Sequence, residues 1–341
     1  MLTQQKFFLG MLAGAGAMFA RRRAWRRRSA IDFSGRTVVI TGGSRGFGLV
    51  LARQFAAEGA NVCLLARDSG ELLHAKDQVL TAGAGSVMTI SCDVRSRDSV
   101  EDAIQAILGV YTAIDVLVNN AGVIQMGPLE HMTAQDFDQA IATHFWGPLY
   151  LMQACMPAMQ RRGFGRIVNI ASIGGRLAVP HLAPYCASKF ALVGLSDSVR
   201  SEVARYGIRV TTVFPGLMRT GSPINAHMKG RHDAEFTWFA IADALPGLSI
   251  SAERGAAQVL EACRHGDADL TIGLPARVAS VAAVLAPGIV AQVMAAATRF
   301  LPKPTDATGN VAKAGRQTKS RWAPSVLTRL SDRAALANNE A

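Results

Sequence analysis

The chain has 341 residues, 50% of them hydrophobic and 18% charged, with a formal net charge of +11. That charge suggests nucleic acid at first sight, but its placement argues against it: residues 1–31 carry +7 and residues 301–341 carry +4, so the middle has no net charge and no basic stripe across a fold is required. The five cysteines, at 63, 92, 155, 186 and 263, show no metal-ligand spacing and read as small apolar fillers in a reducing compartment.

In chain order, Phe7 to Ala20 is apolar and runs into an arginine cluster at 21–23 and 26–28. As a helix it would reach about 21 Å, short of the roughly 30 Å hydrocarbon core. Charge that follows the apolar run is the reverse of a secretory signal. That order favours residues 1–31 as a tether of a cytoplasmic domain to the cytoplasmic face of a membrane, over a disordered leader or a nucleic-acid tail.

Arg36 to Thr41 is a β-branched apolar run that ends at glycines, the pattern of a buried parallel strand. Gly42, Gly46 and Gly48 follow, then a helix from about Phe47 to Ala57. Glycines there let the backbone approach a pyrophosphate, whose charge would rest on the helix N-terminus. A second strand, Asn61 to Ala66, ends at Ala66-Arg67-Asp68. An acid at the strand end suits the ribose hydroxyl of NAD, whereas Arg67, with Arg45 in the glycine turn, suits the 2′-phosphate of NADP. NADP(H) is favoured over NAD(H). Further strands are expected at Ser86–Ser91, Ile114–Asn119, Gly165–Ala171, Ile208–Phe214 and Asp269–Gly273, with helices between them. The alternation predicts an α/β fold with a doubly wound, Rossmann-like parallel sheet over residues 32–273, its site at the carboxyl ends of the strands.

Tyr185 and Lys189 lie four apart, one helical turn, on a shared face. A carbonyl accepting hydride needs a proton donor and a hydrogen-bond donor at its oxygen. A phenol near its ordinary pKa of about 10 needs a cation beside it to work at neutral pH, and Lys189 can supply one.

Together these motifs resemble the classical short-chain dehydrogenase/reductase family from about Phe33 to Gly273. The likeness rests on Thr41-Gly42-Gly43-Ser44-Arg45-Gly46-Phe47-Gly48, Asp93-Val94, Asn119-Asn120-Ala121-Gly122, Ser172, Tyr185 with Lys189, and Pro215-Gly216 with Thr220. It implies that Tyr185 is the acid/base, that Lys189 activates it and binds the nicotinamide ribose, and that Ser172 bonds the substrate oxygen. Gly42, Ser44, Arg45, Gly46, Phe47 and Gly48 would grip the pyrophosphate end, Asp93 and Val94 the adenine. Asn120, Ala121 and Gly122 would line the trough, with Pro215, Gly216 and Thr220 at the nicotinamide. Where the family usually has asparagine in a water-linked proton relay, this chain has His144. The histidine either holds that water, with an altered pH profile, or packs beneath the helix.

The stretch from Leu217 to Ile250 contains Met218, Met228, Phe236, Trp238 and Phe239, which suit a small hydrophobic carbonyl or alcohol substrate or the core side of a lid. Residues 274–302 form an apolar extension. Within it, Val278–Ala297 is uncharged and broken by Pro287-Gly288, which favours two short helices, capping the cleft or docking on a membrane, over a crossing. Residues 303–341 are polar and mixed, and a mobile tail is expected. The leading expectation is an NADP(H)-dependent carbonyl reductase or alcohol dehydrogenase; the alternative is a cofactor-binding sensor or scaffold with weak or no turnover. No specific nucleic-acid partner is expected, and a homo-oligomer stays open.

Overall fold

A computed structural model of the chain describes Arg26 and residues 29–318 and 320–340. The expected anchor at 1–31 falls almost wholly outside the described residues. Seven strands form one sheet: β1 (Thr37–Thr41), β2 (Asn61–Ala66), β3 (Ser86–Ser91), β4 (Val116–Asn119), β5 (Gly165–Ile170), β6 (Ile208–Pro215) and β7 (Asp269–Ile272). Every pairing is parallel, in the spatial order 3-2-1-4-5-6-7. The order reverses between β1 and β4, which places a crevice at their carboxyl ends.

The alternation of side chains along each strand supplies both faces. Val38 and Ile40 point to a core shared with α1 (Gly46–Ala57), α2 (Ser69–Thr81) and a later helix, Ala252–His265. Val39 points to the opposite core, with residues of α3 (Arg97–Tyr111) and α4 (Gly147–Arg162). Strands buried on both sides have no polar face, and so β1 reads as an unbroken apolar run. All five cysteines are buried and form no disulfide, four of them in these layers, and burial pushes the thiols of Cys63, Cys155 and Cys263 up to about 12.

The two apolar helices near the C-terminus, Leu274–Leu285 and Pro287–Ala297, form as expected around the Pro287-Gly288 break. Leu274, Val284 and Leu285 are 74%, 78% and 78% exposed, and the second helix buries no residue. No helix among the described residues is long and apolar enough to cross a membrane.

The tail from Lys303, expected to be mobile, instead lies on the body of the protein. Lys313–Ala314 pairs with His227–Met228, Ala323 joins an apolar cluster, and the helix Arg329–Ala337 ends against the glycine turn. The polar tail carries enough small apolar side chains and backbone partners to pack, and composition averaged over the segment hides them.

Candidate active site

The glycine turn lies between β1 and α1. A Cβ on Gly48 would stand 2.1 Å from the Gly42 carbonyl oxygen, so this close approach excludes any larger residue. Asn120 braces the turn from β4: its amide and that of Ala121 donate to Thr41 Oγ1 at 2.9 and 3.0 Å, and its Nδ2 donates to the Thr41 carbonyl at 3.0 Å. Helix α1 has no side-chain cap, leaving its first-turn amides to be satisfied from outside the helix.

At the end of β2, Asp68 caps α2 by accepting from the Glu71 amide at 2.9 Å. Glu71 in turn holds the turn residues, taking Ser44 Oγ at 2.8 Å and Arg45 Nη1 at 3.0 Å. Arg67 is exposed there, and the hydrogen bonds from Arg95, with a smaller charge effect from Arg67, hold the Asp93 carboxyl below its ordinary pKa. Val94 is buried and packs on Gly147.

Ser172, Tyr185 and Lys189 come together beyond β5. The strand ends at Ile170, and a tight turn over Ile173–Gly175 begins with Ser172, whose Oγ accepts from the Gly174 amide at 3.0 Å. A Cβ on Gly174 would lie 3.3 Å from the Tyr185 ring and 3.5 Å from Ser172 Oγ, so a bare backbone lets serine and tyrosine approach. Helix α5 (Ala183–Val203) carries Tyr185 and Lys189 on one face, with Lys189 Nζ 5.6 Å from the tyrosine ring centre and donating to the Ile170 carbonyl at 2.8 Å. Burial lowers the Lys189 ammonium to about 7. Burial also pushes the Tyr185 phenol up to about 12, against the opposing hydrogen bond from Ser172. The group at the mouth of the site is thus a protonated phenol at neutral pH, beside an amine that exchanges its proton near neutrality.

His144 sits in a π-helical turn, Ala142–Trp146, whose wide pitch turns the ring inward. The ring is 1% exposed and packs edge-on to Tyr185 at 5.5 Å. The Val123 amide donates to Nε2 at 3.1 Å, so the ring proton belongs on Nδ1, which donates to Ser188 Oγ at 2.7 Å. Ser188 passes its own proton to the Tyr185 carbonyl at 2.8 Å. Burial, with Lys189 nearby, holds the imidazole pKa well below its ordinary value. Both ring nitrogens are engaged within the protein.

Other groups position the site without a local sequence signature. Asn169 donates through Nδ2 to Ser196 Oγ at 2.6 Å and accepts through Oδ1 from Asn119 Nδ2 at 2.7 Å, stitching β4, β5 and α5 together. Pro215 closes β6, and the Gly216 amide bonds the Ile272 carbonyl at 3.0 Å. Thr220 is buried, its hydroxyl 2.7 Å from that of Ser222. Asp243 accepts from the Met218 amide at 3.1 Å, and burial pushes its carboxyl up to about 8. Lys229 and Asp136 form a buried ion pair at 2.5 Å, and His181 meets the fully buried Glu235 at 2.8 Å. Sequence separations of 93 and 54 residues leave no spacing from which these pairs could be found. Met228, Phe236 and Phe239 are buried in one cluster, with Trp238, Ile124 and Leu182 partly buried against it, whereas Met218 packs into the main core.

An all-parallel sheet in this order, with a glycine turn at the reversal point and a hydroxyl-amine cluster one strand away, defines a dinucleotide-fold protein. The profile described as short chain dehydrogenase matches residues 36–229. A Bos taurus dehydrogenase/reductase SDR family member 7B is 30% identical over 300 residues, 85% of this chain and 90% of its own. An Anopheles gambiae SDR family protein 7-like is 37% identical over 205 residues, and the match spans 64% of that relative's length. Among solved structures, a Streptomyces avermitilis short-chain dehydrogenase is 29% identical with a TM-score of 0.65, covering 78% of this chain and 99% of its own. A metagenomic short-chain oxidoreductase in complex with NADP is 29% identical, with a TM-score of 0.58 over 72% and 98% of the two chains. The chain belongs to the short-chain dehydrogenase/reductase family, whose members are oxidoreductases acting on CH–OH groups.

Proposed function

We propose that the protein is an NADP(H)-dependent oxidoreductase that interconverts a hydrophobic ketone and its secondary alcohol. The observation that carries this reading is the buried Lys189 beside the Tyr185 ring, with Ser172 close to that ring across Gly174, at the carboxyl end of β5. The residues fit a dinucleotide: a cradle that only glycine at 48 permits, amides free of side-chain caps at α1, and donors on Ser44 and Arg45. Ser44, Arg45, Gly46, Phe47 and Gly48 would hold the pyrophosphate end, Asp93 and Val94 the adenine, and Pro215, Gly216 and Thr220 the nicotinamide. The bound nicotinamide supplies the hydride.

The chain's own groups do the rest. Ser172 Oγ–H and the Tyr185 phenol converge on the substrate oxygen and stabilise the negative charge that grows there. Tyr185 then delivers its proton, and Lys189 favours the resulting phenolate and passes a proton back. The same steps reversed oxidise an alcohol. Asp68 uses its carboxylate as a helix cap, and Arg67 and Arg45 flank the site of a 2′-phosphate, which supports NADP over NAD. The cluster of Met228, Phe236 and Phe239, with Leu182 three residues before Tyr185, supports an apolar substrate. The two exposed apolar helices support contact with a membrane surface. The test is a ketone panel, from small polar to long-chain, with NADPH and NADH in parallel. We expect alcohol formed mole for mole with NADPH consumed, fastest for apolar ketones; NADH preferred, or polar ketones preferred, would overturn the corresponding part.

A further inference from the structure

The reading of the glycine turn as a nucleotide cradle leads to a conflict with the chain's own tail. We propose that the segment Asn338–Glu340 is an intramolecular ligand of the nucleotide cleft, and that dinucleotide and tail bind it in mutual exclusion.

The tail holds both lips of the cleft. On the first lip, the Gly46 amide at the start of α1 donates to the Asn338 carbonyl at 2.8 Å, and Asn339 Nδ2 donates to the Ser44 carbonyl at 3.2 Å. The carboxylate of Glu340 lies directly over Gly46, where its Oε1 stands 2.8 Å from the position a Cβ would take. On the second lip, the Gly221 amide, one residue after Thr220, donates to Glu340 Oε2 at 2.6 Å. Asn225 Nδ2 reaches the Glu340 carbonyl at 3.4 Å. Asn338 is fully buried and Glu340 is 8% exposed.

At the uncapped start of α1 the Gly46 amide is taken by the neutral Asn338 carbonyl, while the Glu340 carboxylate lies over Gly46 and takes the Gly221 amide. A carboxylate and a backbone carbonyl take amides of the kind that a pyrophosphate takes in such a turn. Arg53 of α1 also donates to the Asn338 side chain and to the Ala337 carbonyl at 3.3 Å, and Gln78 Nε2 of α2 donates to Asn339 Oδ1 at 2.9 Å. A cavity of about 310 Å³ remains beside the tail, bounded by Arg45, Glu71, His74, Gln78 and Arg316 as well as Asn339 and Glu340. Its basic side chains would serve a phosphate as well as they serve Glu340. The helix Arg329–Ala337 and Ala323 in the apolar cluster leash the segment to the body, so a released tail stays close and rebinds as an intramolecular event.

If only the tail-free fraction admits nucleotide, the apparent dissociation constant rises in inverse proportion to that fraction. The experiment uses the full chain as wild type, Glu340→Arg and Glu340→Gln. NADPH binding is followed by its fluorescence, and hydrogen exchange at residues 335–340 is measured with and without saturating NADPH. The amides of Asn338 and Glu340 both donate to the Ala335 carbonyl within the tail, and burial of Asn338 and Glu340 against the cleft adds to their protection, which release would remove. We expect Glu340→Arg to tighten NADPH binding by about tenfold, Glu340→Gln to tighten it less, and NADPH to accelerate exchange in the wild-type tail. Equal affinity in all three proteins, or protection of the tail unchanged by NADPH, overturns the proposal while leaving the cleft a nucleotide site. Absence of NADPH and NADH binding in all three, with the tail of Glu340→Arg exchanging freely, overturns the nucleotide reading itself.

Discussion

Tyr185 and Lys189 show how burial sets the chemistry that a residue can do. A phenol pushed up to about 12 is a proton donor throughout the neutral range, so ketone reduction needs no prior ionisation. Alcohol oxidation needs the phenolate, and its rate should climb between about pH 7 and pH 10, by up to about tenfold per unit. A flat oxidative profile would contradict that assignment. His144 makes the opposite case. Its imidazole is held neutral by burial, with Nδ1–H donated to Ser188 and Nε2 accepting from Val123. His144→Asn should therefore keep the apparent pKa values of the pH-rate profile and lower the melting temperature, because Ser188 and the Val123 amide lose a partner worth about 1 kcal/mol each. A shift of the acidic limb in that variant would restore the proton relay. The departure from the family's asparagine was visible in the sequence, but the tautomer was not: it depends on an amide 21 residues away and a hydroxyl 44 residues away.

Single elements depend on contacts that cross the sheet. The stretch after β6 carries Met218, Thr220, Gly221 and Met228, and it is pinned at one end by Lys229 on Asp136. Burial alone would raise the Asp136 carboxyl, but the Lys229 ammonium, with Thr133, holds it below the ordinary range. A folded-state value below the unfolded one stabilises the protein above the unfolded pKa, and that contribution is lost as pH falls through the folded value. Lys229→Ala leaves a carboxylate unpaired in a buried place and should cost about 3 kcal/mol, read by thermal or denaturant unfolding near neutral pH. An unchanged midpoint would mean that the pair is solvated in solution. Strand boundaries, by contrast, were legible to within two residues, because apolar β-branched runs such as Thr37–Thr41 stop at glycine or asparagine and both features are local. The wide turn at Ala142–Trp146 and the close pair His181–Glu235 depend on tertiary packing and had no local sign.

At the scale of the whole molecule, a neutral body carries basic ends, an apolar helix pair and a tail folded over its cleft. Composition made the tail look mobile because Ala323, Ala335 and Glu340 find their partners more than 80 residues back in the chain. The exposed faces of Leu274–Leu285 and Pro287–Ala297 suit the shallow apolar layer of an anionic bilayer. Replacing Val284 and Leu285 together with aspartate should weaken co-sedimentation of the full chain with phosphatidylserine vesicles by about tenfold or more, given the area those two side chains would otherwise bury. Co-sedimentation equal to wild type would assign that face another role. The role proposed for Tyr185, supported by Lys189 and Ser172, is to move the proton in a nicotinamide-dependent carbonyl reduction. It is tested by NADPH-dependent ketone turnover in wild type and Tyr185→Phe, with NADPH affinity measured on both. Turnover should fall by about a hundredfold or more in the variant with affinity within a few fold of wild type. Turnover that survives the substitution would place the proton donor elsewhere.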